Sequence, residues 1–117
     1  MSGAATAEDV EVVTTRPAPD SKSKPKRQPQ YVVIVENDDY HTFIYVIEVL
    51  QKVCGHGLEE AERLAGEVHN SGRAVVWQGS MEVAELKRDQ IRGYGPDLYA
   101  QAPVTFPLGC YIEPLSG

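Results

Sequence analysis

A short polar run, which follows the first apolar stretch of the chain, contains residues that could bind a charged group. Asn37, Asp38 and Asp39 come directly after the apolar run 31–35 and directly before a helix-like segment. A carboxylate can hold a cation, an amide both donates and accepts, and a neutral histidine offers one acceptor nitrogen. Asn37, Asp38 and His69 together would therefore suit an ammonium group with its three donors.

The same residues also fit simpler interpretations. Asn and Asp often form the turn between a strand and a helix, and His69 could merely end a helix. A metal site is another alternative, because His41, His56 and His69 could join Asp38 and Asp39 as ligands for a divalent ion. No two of these histidines are four residues apart and HEXXH is absent, so no metal site is predicted. Neither a GxSxG elbow nor a known Cys-His signature appears, so no catalytic residue and no enzyme is predicted.

Length and charge limit the classes of function. A chain of 117 residues predicts one folded domain. The chain has 11 basic and 17 acidic residues and a net charge of -6, and its acidic excess lies entirely within residues 31–117. Nucleic-acid binding depends largely on Lys and Arg, so an acidic domain without a basic stripe is not expected to bind nucleic acid or an anionic membrane.

The cysteine content and the first residues bear on location. Cys54 and Cys110 do not belong to a CxxC pair, and free cysteines are usually buried small apolar residues. No apolar run approaches the roughly 18 residues of a membrane span, and the first residues do not resemble a signal peptide. We therefore expect a cytoplasmic protein with reduced thiols.

The composition changes near residue 30. Residues 1–30 contain four of the eight prolines, many small polar residues and no aromatic residue. Such a segment buries too little apolar surface to offset its ordering entropy, so a disordered arm is predicted. Residues 31–117 are predicted to form the folded domain.

Hydrophobic periodicity predicts six elements in that domain. Thr42 and Gly55 fit the two ends of the first helix, whose apolar stripe is expected at Phe43, Val46, Ile47, Leu50 and Val53. The predicted elements are a strand at 31–36, helices at 42–53 and 58–70, a strand at 73–78, a helix from 80 to about 94 and a last strand at 108–113. This β-α-α-β-α-β order indicates an α+β fold, in which a small three-stranded antiparallel sheet packs on three helices.

Four motifs in sequence resemble the ClpS family of adaptor proteins of the Clp AAA+ protease. They are Val35-Glu-Asn-Asp-Asp-Tyr40, Val46-Ile-Glu-Val-Leu50, Glu67-Val-His-Asn-Ser-Gly-Arg-Ala74 and Glu82-Val-Ala-Glu-Leu-Lys87. The resemblance extends from about Tyr31 to Glu113. It favours a binding site over a simple turn at Asn37, Asp38 and His69.

The resemblance implies a monomeric adaptor that has no cofactor and no catalytic or metal-binding residue. ClpS proteins bind the free α-amino group and large hydrophobic first residue of N-degron substrates, usually Leu, Phe, Tyr or Trp, and deliver them to a ClpA or ClpC type AAA+ unfoldase. Their fold is similar to the C-terminal domain of the ribosomal stalk protein, and an interaction domain of that kind, without N-degron recognition, is the main alternative function.

Individual roles also follow from the resemblance. Positions that match Asn37, Asp38 and His69 hold the amine, with Asp39 in support, and those that match Glu82 and Lys87 meet the unfoldase's N-terminal domain. The family often has Met where this chain has Phe43 and Ala65, and the loop 95–106 is longer than the family pattern, which makes the assignment of Leu108 less direct. The hydrophobic pocket is expected at His41, Phe43, Val46, Ala65, Val68 and Leu108.

Overall fold

The structure, a computed structural model, describes residues 28–115. The described residues form three strands and three helices in the predicted β-α-α-β-α-β order, which confirms the α+β fold. Most of the proposed arm lies outside the described residues. The elements are β1 (Tyr31–Glu36), α1 (Phe43–Cys54), α2 (Leu58–Ser71), β2 (Arg73–Gly79), α3 (Met81–Arg92) and β3 (Cys110–Pro114).

Strand β1 is the centre of the sheet. It pairs antiparallel with β2 on one side and with β3 on the other, so the strand order is β2-β1-β3. Val33 and Val35 are fully buried in the core cluster. The continuous β-branched run in the sequence reflects this central position, because such side chains fit a pleated surface with neighbours on both edges.

Helix α1 has the predicted ends, and four of the five residues of its predicted stripe belong to the core or pack against it. Thr42 is the N-cap, and its Oγ1 accepts a hydrogen bond from the amide of Tyr45 at 3.1 Å; Gly55 ends the helix in the left-handed conformation. The prediction that Phe43 belongs to the buried stripe is wrong, since its side chain is 46% exposed. The residues of α1 that are buried are Tyr45, Val46, Val49 and Leu50.

Helices α2 and α3 cover the sheet together with α1. The buried residues of α2 are Ala61, Leu64, Ala65 and Val68, which lie along one face of the helix. Gly72 ends α2 with φ 93°, a conformation that glycine adopts without the steric cost of a Cβ. Helix α3 begins after Ser80, whose hydroxyl accepts from the amide of Val83. At the end of β1, the first turns of α1 lie beside α2, and residues of both helices line one cavity.

The segment between α3 and β3 contains little regular structure. Its one regular feature is a bridge in which Asp97 and Val104 exchange two backbone hydrogen bonds, at 2.9 and 3.0 Å. Strand β3 begins at Cys110, two residues later than predicted, because Leu108 and Gly109 belong to the connection. Among the described residues, no helix has the length and apolar character needed to cross a membrane.

Candidate functional site

A cavity of about 400 Å³ opens where β1, α1 and α2 meet. One side is formed by the turn that joins β1 to α1, and the other by apolar residues of the two helices. The cavity thus combines a polar rim with an apolar floor, the usual composition of a small-ligand site. Its lining residues are Asn37, Asp38, Asp39, His41, Thr42, Phe43, Val46, Ala65, Val68 and His69.

The backbone joins the polar turn to the end of α2. The amide of Asn37 donates a hydrogen bond to the carbonyl of Gly72 at 2.9 Å, and the amide of Glu36 donates to the carbonyl of Gly109 at the same distance. His69 lies in the last turn of α2. Asn37 and His69, 32 positions apart in sequence, therefore lie on the rim of one cavity.

Asp38 is the most strongly hydrogen-bonded side chain of the rim. Its Oδ1 accepts from the amides of Tyr40 and His41, each at 2.7 Å, and its Oδ2 lies 2.6 Å from Nδ1 of the His41 ring. Partial burial acts to raise the pKa of Asp38, but the hydrogen bonds from the His41 amide, the His41 ring and the Tyr40 amide outweigh it and lower the pKa. Asp38 is therefore an anion at neutral pH.

His41 lies behind this carboxylate. Its side chain is only 2% exposed, and its Nε2 lies 3.1 Å from the carbonyl oxygen of Phe106. The ring stacks on Tyr45, with centroids 5.2 Å apart, and meets the edge of the Phe106 ring at 5.1 Å. His41 thus contacts the cavity, the carboxylate of Asp38 and the loop that precedes β3.

The floor of the cavity is apolar and comes from both helices. Val46, Ala65 and Val68 are buried, while Phe43 reaches the opening and remains half exposed. Ala65 contributes a single methyl group at a position in the middle of α2. Phe43 and Ala65 therefore both line the cavity, the first with a large half-exposed ring and the second with a single methyl group.

Three residues to which the family resemblance gave a role do not line the cavity. Leu108 is 1% exposed and belongs to the core cluster, not to the lining of the cavity. Glu82 is an exposed residue in the first turn of α3. Lys87, on the same helix, donates from Nζ to the carbonyl of Val53 at 2.8 Å. The described part of α3 contributes no residue to the cavity.

The sequence did not indicate two residues that shape this region. Thr42 was predicted only as a helix cap, yet it also lines the cavity. Asp97, which is fully buried, accepts hydrogen bonds at its carboxylate from the amide of Thr42 at 2.6 Å and from the Thr42 hydroxyl at 3.3 Å. A turn-forming Gly-Pro-Asp sequence gives no sign of such a contact, because its partner is 55 residues away.

The histidines and carboxylates do not gather into a metal site within residues 28–115. His56 lies apart from the cavity, with its Nε2 2.6 Å from the carbonyl oxygen of Val76 in β2. His41 is directed at Asp38 and Phe106.

Comparison with known proteins gives one family. The family model described as ATP-dependent Clp protease adaptor protein ClpS matches residues 26–110. A curated ClpS of Desulfatibacillum aliphaticivorans is 37% identical over 107 residues, covering 92% of this chain and 93% of the relative. The ClpS of Nostoc sp. is 41% identical, covering 70% of this chain and 86% of the relative. The ClpS of Pectobacterium carotovorum is 43% identical, covering 79% and 83%.

A solved structure with the same fold contains a ligand. It is that of Agrobacterium tumefaciens ClpS2 bound to L-phenylalaninamide, with a TM-score of 0.62 and 29% sequence identity. The match covers 76% of this chain and all of that one. The chain thus belongs to the ClpS family of ATP-dependent Clp protease adaptor proteins, which are adaptors rather than enzymes.

Proposed function

We propose that this adaptor binds the free α-amino group and the large hydrophobic first side chain of N-degron substrates, and delivers them to a Clp AAA+ unfoldase. The observation that carries the proposal is the shared cavity, whose rim holds Asn37, Asp38 and His69 and whose floor is apolar. A chain start presents the same two features, a cationic amine and a side chain, a few bonds apart.

The rim matches the chemistry of an ammonium group. Asp38 supplies a negative charge, the Asn37 amide oxygen an acceptor, and a neutral His69 one acceptor nitrogen. Hydrogen bonds between charged partners are worth about 1.5 to 3 kcal/mol each. An internal or acetylated residue has no such cation, so the rim would select a free chain start.

The floor matches one large apolar side chain. Val46, Ala65 and Val68 line the cavity with aliphatic side chains, so a side chain that enters leaves water for an apolar surface. Burial of a Leu or Phe side chain contributes about 1.5 to 3 kcal/mol. We therefore expect Leu, Phe, Tyr and Trp as first residues.

The ligand of the similar solved structure supports this assignment. L-Phenylalaninamide, bound by the Agrobacterium protein, has a free α-amino group and an aromatic side chain. These two groups correspond to the polar rim and the apolar floor of the cavity described here. The carbonyl side of that ligand also resembles the start of a peptide, because an amide replaces the carboxylate.

Delivery would require a second surface. Glu82 and Lys87 lie on α3, away from the cavity, and they are accompanied by three exposed apolar residues, Met81, Val83 and Leu86. Apolar side chains mixed with charges are typical of a protein interface. We assign this face to the N-terminal domain of a ClpA or ClpC type unfoldase, and assign a role in delivery to residues 1–30. The adaptor would act as a cytoplasmic monomer.

Two fluorescent peptides that differ only at the first nitrogen test the binding function. One begins with a free Phe and the other with N-acetyl-Phe, followed by the same sequence. Titration should give saturable binding of the free peptide and at least a tenfold weaker interaction of the acetylated one, because acetylation removes the charge. Equal affinity for both peptides would contradict the proposal and favour a stalk-like interaction domain.

A further inference from the structure

The loop 95–106 is attached to the first half of α1 by side-chain hydrogen bonds. The Tyr45 hydroxyl donates to the carbonyl of Gly95 at 2.6 Å. Glu48 accepts from the hydroxyl of Tyr94 at 2.7 Å and from that of Tyr99 through its other oxygen. The hydrogen bonds from Tyr99 and Tyr94 lower the pKa of Glu48, so this acceptor stays ionised at neutral pH. The loop is therefore fixed at several points against the helix that borders the cavity.

Asp97 is the innermost of these attachments. It is fully buried, and its carboxylate accepts from the Thr42 amide at 2.6 Å, the Thr42 hydroxyl at 3.3 Å and the Tyr99 amide at 2.9 Å. The first turn of α1 contains no acidic residue of its own. A negative charge near a helix N-terminus is favourable, and Asp97 supplies it from the loop. Burial of this carboxylate is tolerated because three donors satisfy it.

The loop also reaches His41 from the opposite side to Asp38. One ring nitrogen lies 2.6 Å from Asp38 Oδ2, and the other lies 3.1 Å from the Phe106 carbonyl. Both partners are acceptors, so the ring donates to Asp38 or to Phe106 through whichever nitrogen carries a proton. The ring is held laterally by Tyr45 and by the Phe106 ring. His41 therefore connects the loop to the carboxylate on the rim.

We infer that the loop 95–106 positions the amine-binding carboxylate, with Asp97 fixing the start of α1 and His41 orienting Asp38. This inference rests on the function proposed above. A carboxylate has about four lone-pair positions, and the amides of Tyr40 and His41 and the His41 ring occupy three at Asp38. The remaining position is the one open to a ligand amine. Its direction is set by the two amides together with the ring, and the ring in turn contacts the Phe106 carbonyl.

Two variants and their combination test the inference in the full-length chain. Asp97→Asn removes the charge and places an amide NH₂ group either against the Thr42 amide or against the Thr42 hydroxyl and the Tyr99 amide. His41→Phe keeps a ring against Tyr45 but removes the polar contacts with Asp38 and with the Phe106 carbonyl. Each should weaken binding of the free Phe-initiated peptide about tenfold. The double variant should have about the same peptide affinity as the single variant of lower affinity, because both changes act on the same carboxylate.

His41→Gln separates positioning from simple packing. Its amide NH₂ can donate to Asp38, so it should recover most of the affinity that His41→Phe loses, although it does not restore the packing against Tyr45. Asp89→Asn is the matched control for Asp97→Asn, since Asp89 is exposed on α3 and pairs only with the neighbouring Arg88 among the described residues. It should bind the peptide as the parent does.

The outcomes distinguish this inference from the proposed function. If the parent fails to prefer the free over the acetylated peptide, the proposed function is wrong. If the parent shows the preference but Asp97→Asn and His41→Phe bind like the parent, or if their effects simply add, only the positioning role is wrong. Thermal unfolding followed by circular dichroism establishes that each variant is folded at the temperature of titration. Should Asp97→Asn be unfolded there, the comparison of His41→Phe with His41→Gln decides the question.

Discussion

The amide of Asn37 donates a hydrogen bond at 2.9 Å to the carbonyl of Gly72, the residue that ends α2. This contact fastens the polar turn after β1 to the C-terminus of the helix that carries His69. The left-handed conformation of Gly72 allows the chain to turn sharply into β2, which pairs with β1. Gly72 therefore both ends α2 and accepts the hydrogen bond that holds Asn37 at the rim.

Substitution of this glycine should affect stability and binding together. Gly72→Ala places a Cβ at φ 93°, and the left-handed conformation costs an L-residue about 1 to 2 kcal/mol. Gly55→Ala, at φ 76° at the end of α1, carries a similar cost far from the rim and is the matched control. Urea unfolding should show a comparable loss in both variants, whereas affinity for the Phe-initiated peptide should fall several-fold only in Gly72→Ala. Equal peptide affinities of Gly72→Ala and Gly55→Ala would show that Gly72 does not contribute to the binding rim.

Neutralising Asp38 should abolish most of the preference for a free amine. Asp38→Asn removes the charge, and although its oxygen can still accept from the amides of Tyr40 and His41, its NH₂ group replaces the acceptor that faces the His41 ring. The loss of one charge-assisted hydrogen bond should weaken binding about ten- to a hundredfold. Asp39→Asn, exposed in the same turn, removes the same charge without these contacts. It should reduce affinity by much less. Titration with free and acetylated peptides measures both effects, and equal losses in the two variants would assign the selectivity to general charge.

The lowered pKa of Asp38 gives a pH dependence of stability with a definite sign. The carboxylate is favoured in the folded state, so its contribution is fully present above the unfolded value of about 3.9 and is lost as pH falls through the lower folded value. The difference in unfolding free energy between the parent and Asp38→Asn should therefore not be lost between pH 7 and 5, and it should shrink only below about pH 4. Unfolding at a series of pH values tests this. A difference that disappears between pH 7 and 5 would show that Asp38 is not held as described.

Helical periodicity indicates which residues of each helix are buried, whereas the assignment of residues to a pocket came from the family resemblance. Val46, Ala65 and Val68 follow helical periodicity, and periodicity survives in the structure because each helix must bury one face. Asp97 could not be found in this way, since its contact with Thr42 joins a strand-free loop to a helix cap 55 residues earlier. Leu108 was assigned to the pocket only because it matches a position in the family. The loop before it is longer than in the family pattern, so the match of positions after the loop is not fixed by their spacing.

Phe43 and Ala65, which stand where the ClpS family often has Met, should determine which first residues of a substrate the cavity accepts. Ala65 is a small lining residue and Phe43 a large one. We therefore expect aromatic residues and Leu to bind and the β-branched residues Ile and Val to be rejected. Ala65→Met would place a larger side chain in the cavity, and it should weaken binding of Trp- and Phe-initiated peptides about tenfold while affecting Leu less. Affinities for six peptides that begin with Phe, Leu, Trp, Tyr, Ile and Val measure this. Equal affinity of the parent for Ile and Leu would show that Phe43 does not act as a filter.

The two thiols should be unreactive in the folded protein. Burial raises the pKa of Cys54 to about 11 and that of Cys110 to about 12, so both are protonated near pH 8. Reaction with a thiol reagent at pH 8 should be slow and should accelerate strongly in denaturant. Because the folded state holds these protons more tightly, stability should fall as pH rises above the ordinary thiol value of about 8.5. Rapid labelling of both cysteines in the folded chain would contradict their burial.

Substitutions on α3 should affect the proposed unfoldase contact separately from peptide binding in the cavity. Glu82 is exposed, so Glu82→Lys should weaken binding to the N-terminal domain of a ClpA or ClpC type unfoldase without changing stability or peptide affinity. Lys87→Glu should weaken that binding and also destabilise the fold, because Lys87 donates to the Val53 carbonyl near the end of α1. Glu62→Lys, exposed on α2, is the control for the change of charge. Calorimetric titration of the four proteins with the isolated unfoldase domain measures the effect, and equal binding by Glu82→Lys and Glu62→Lys would remove Glu82 from the interface.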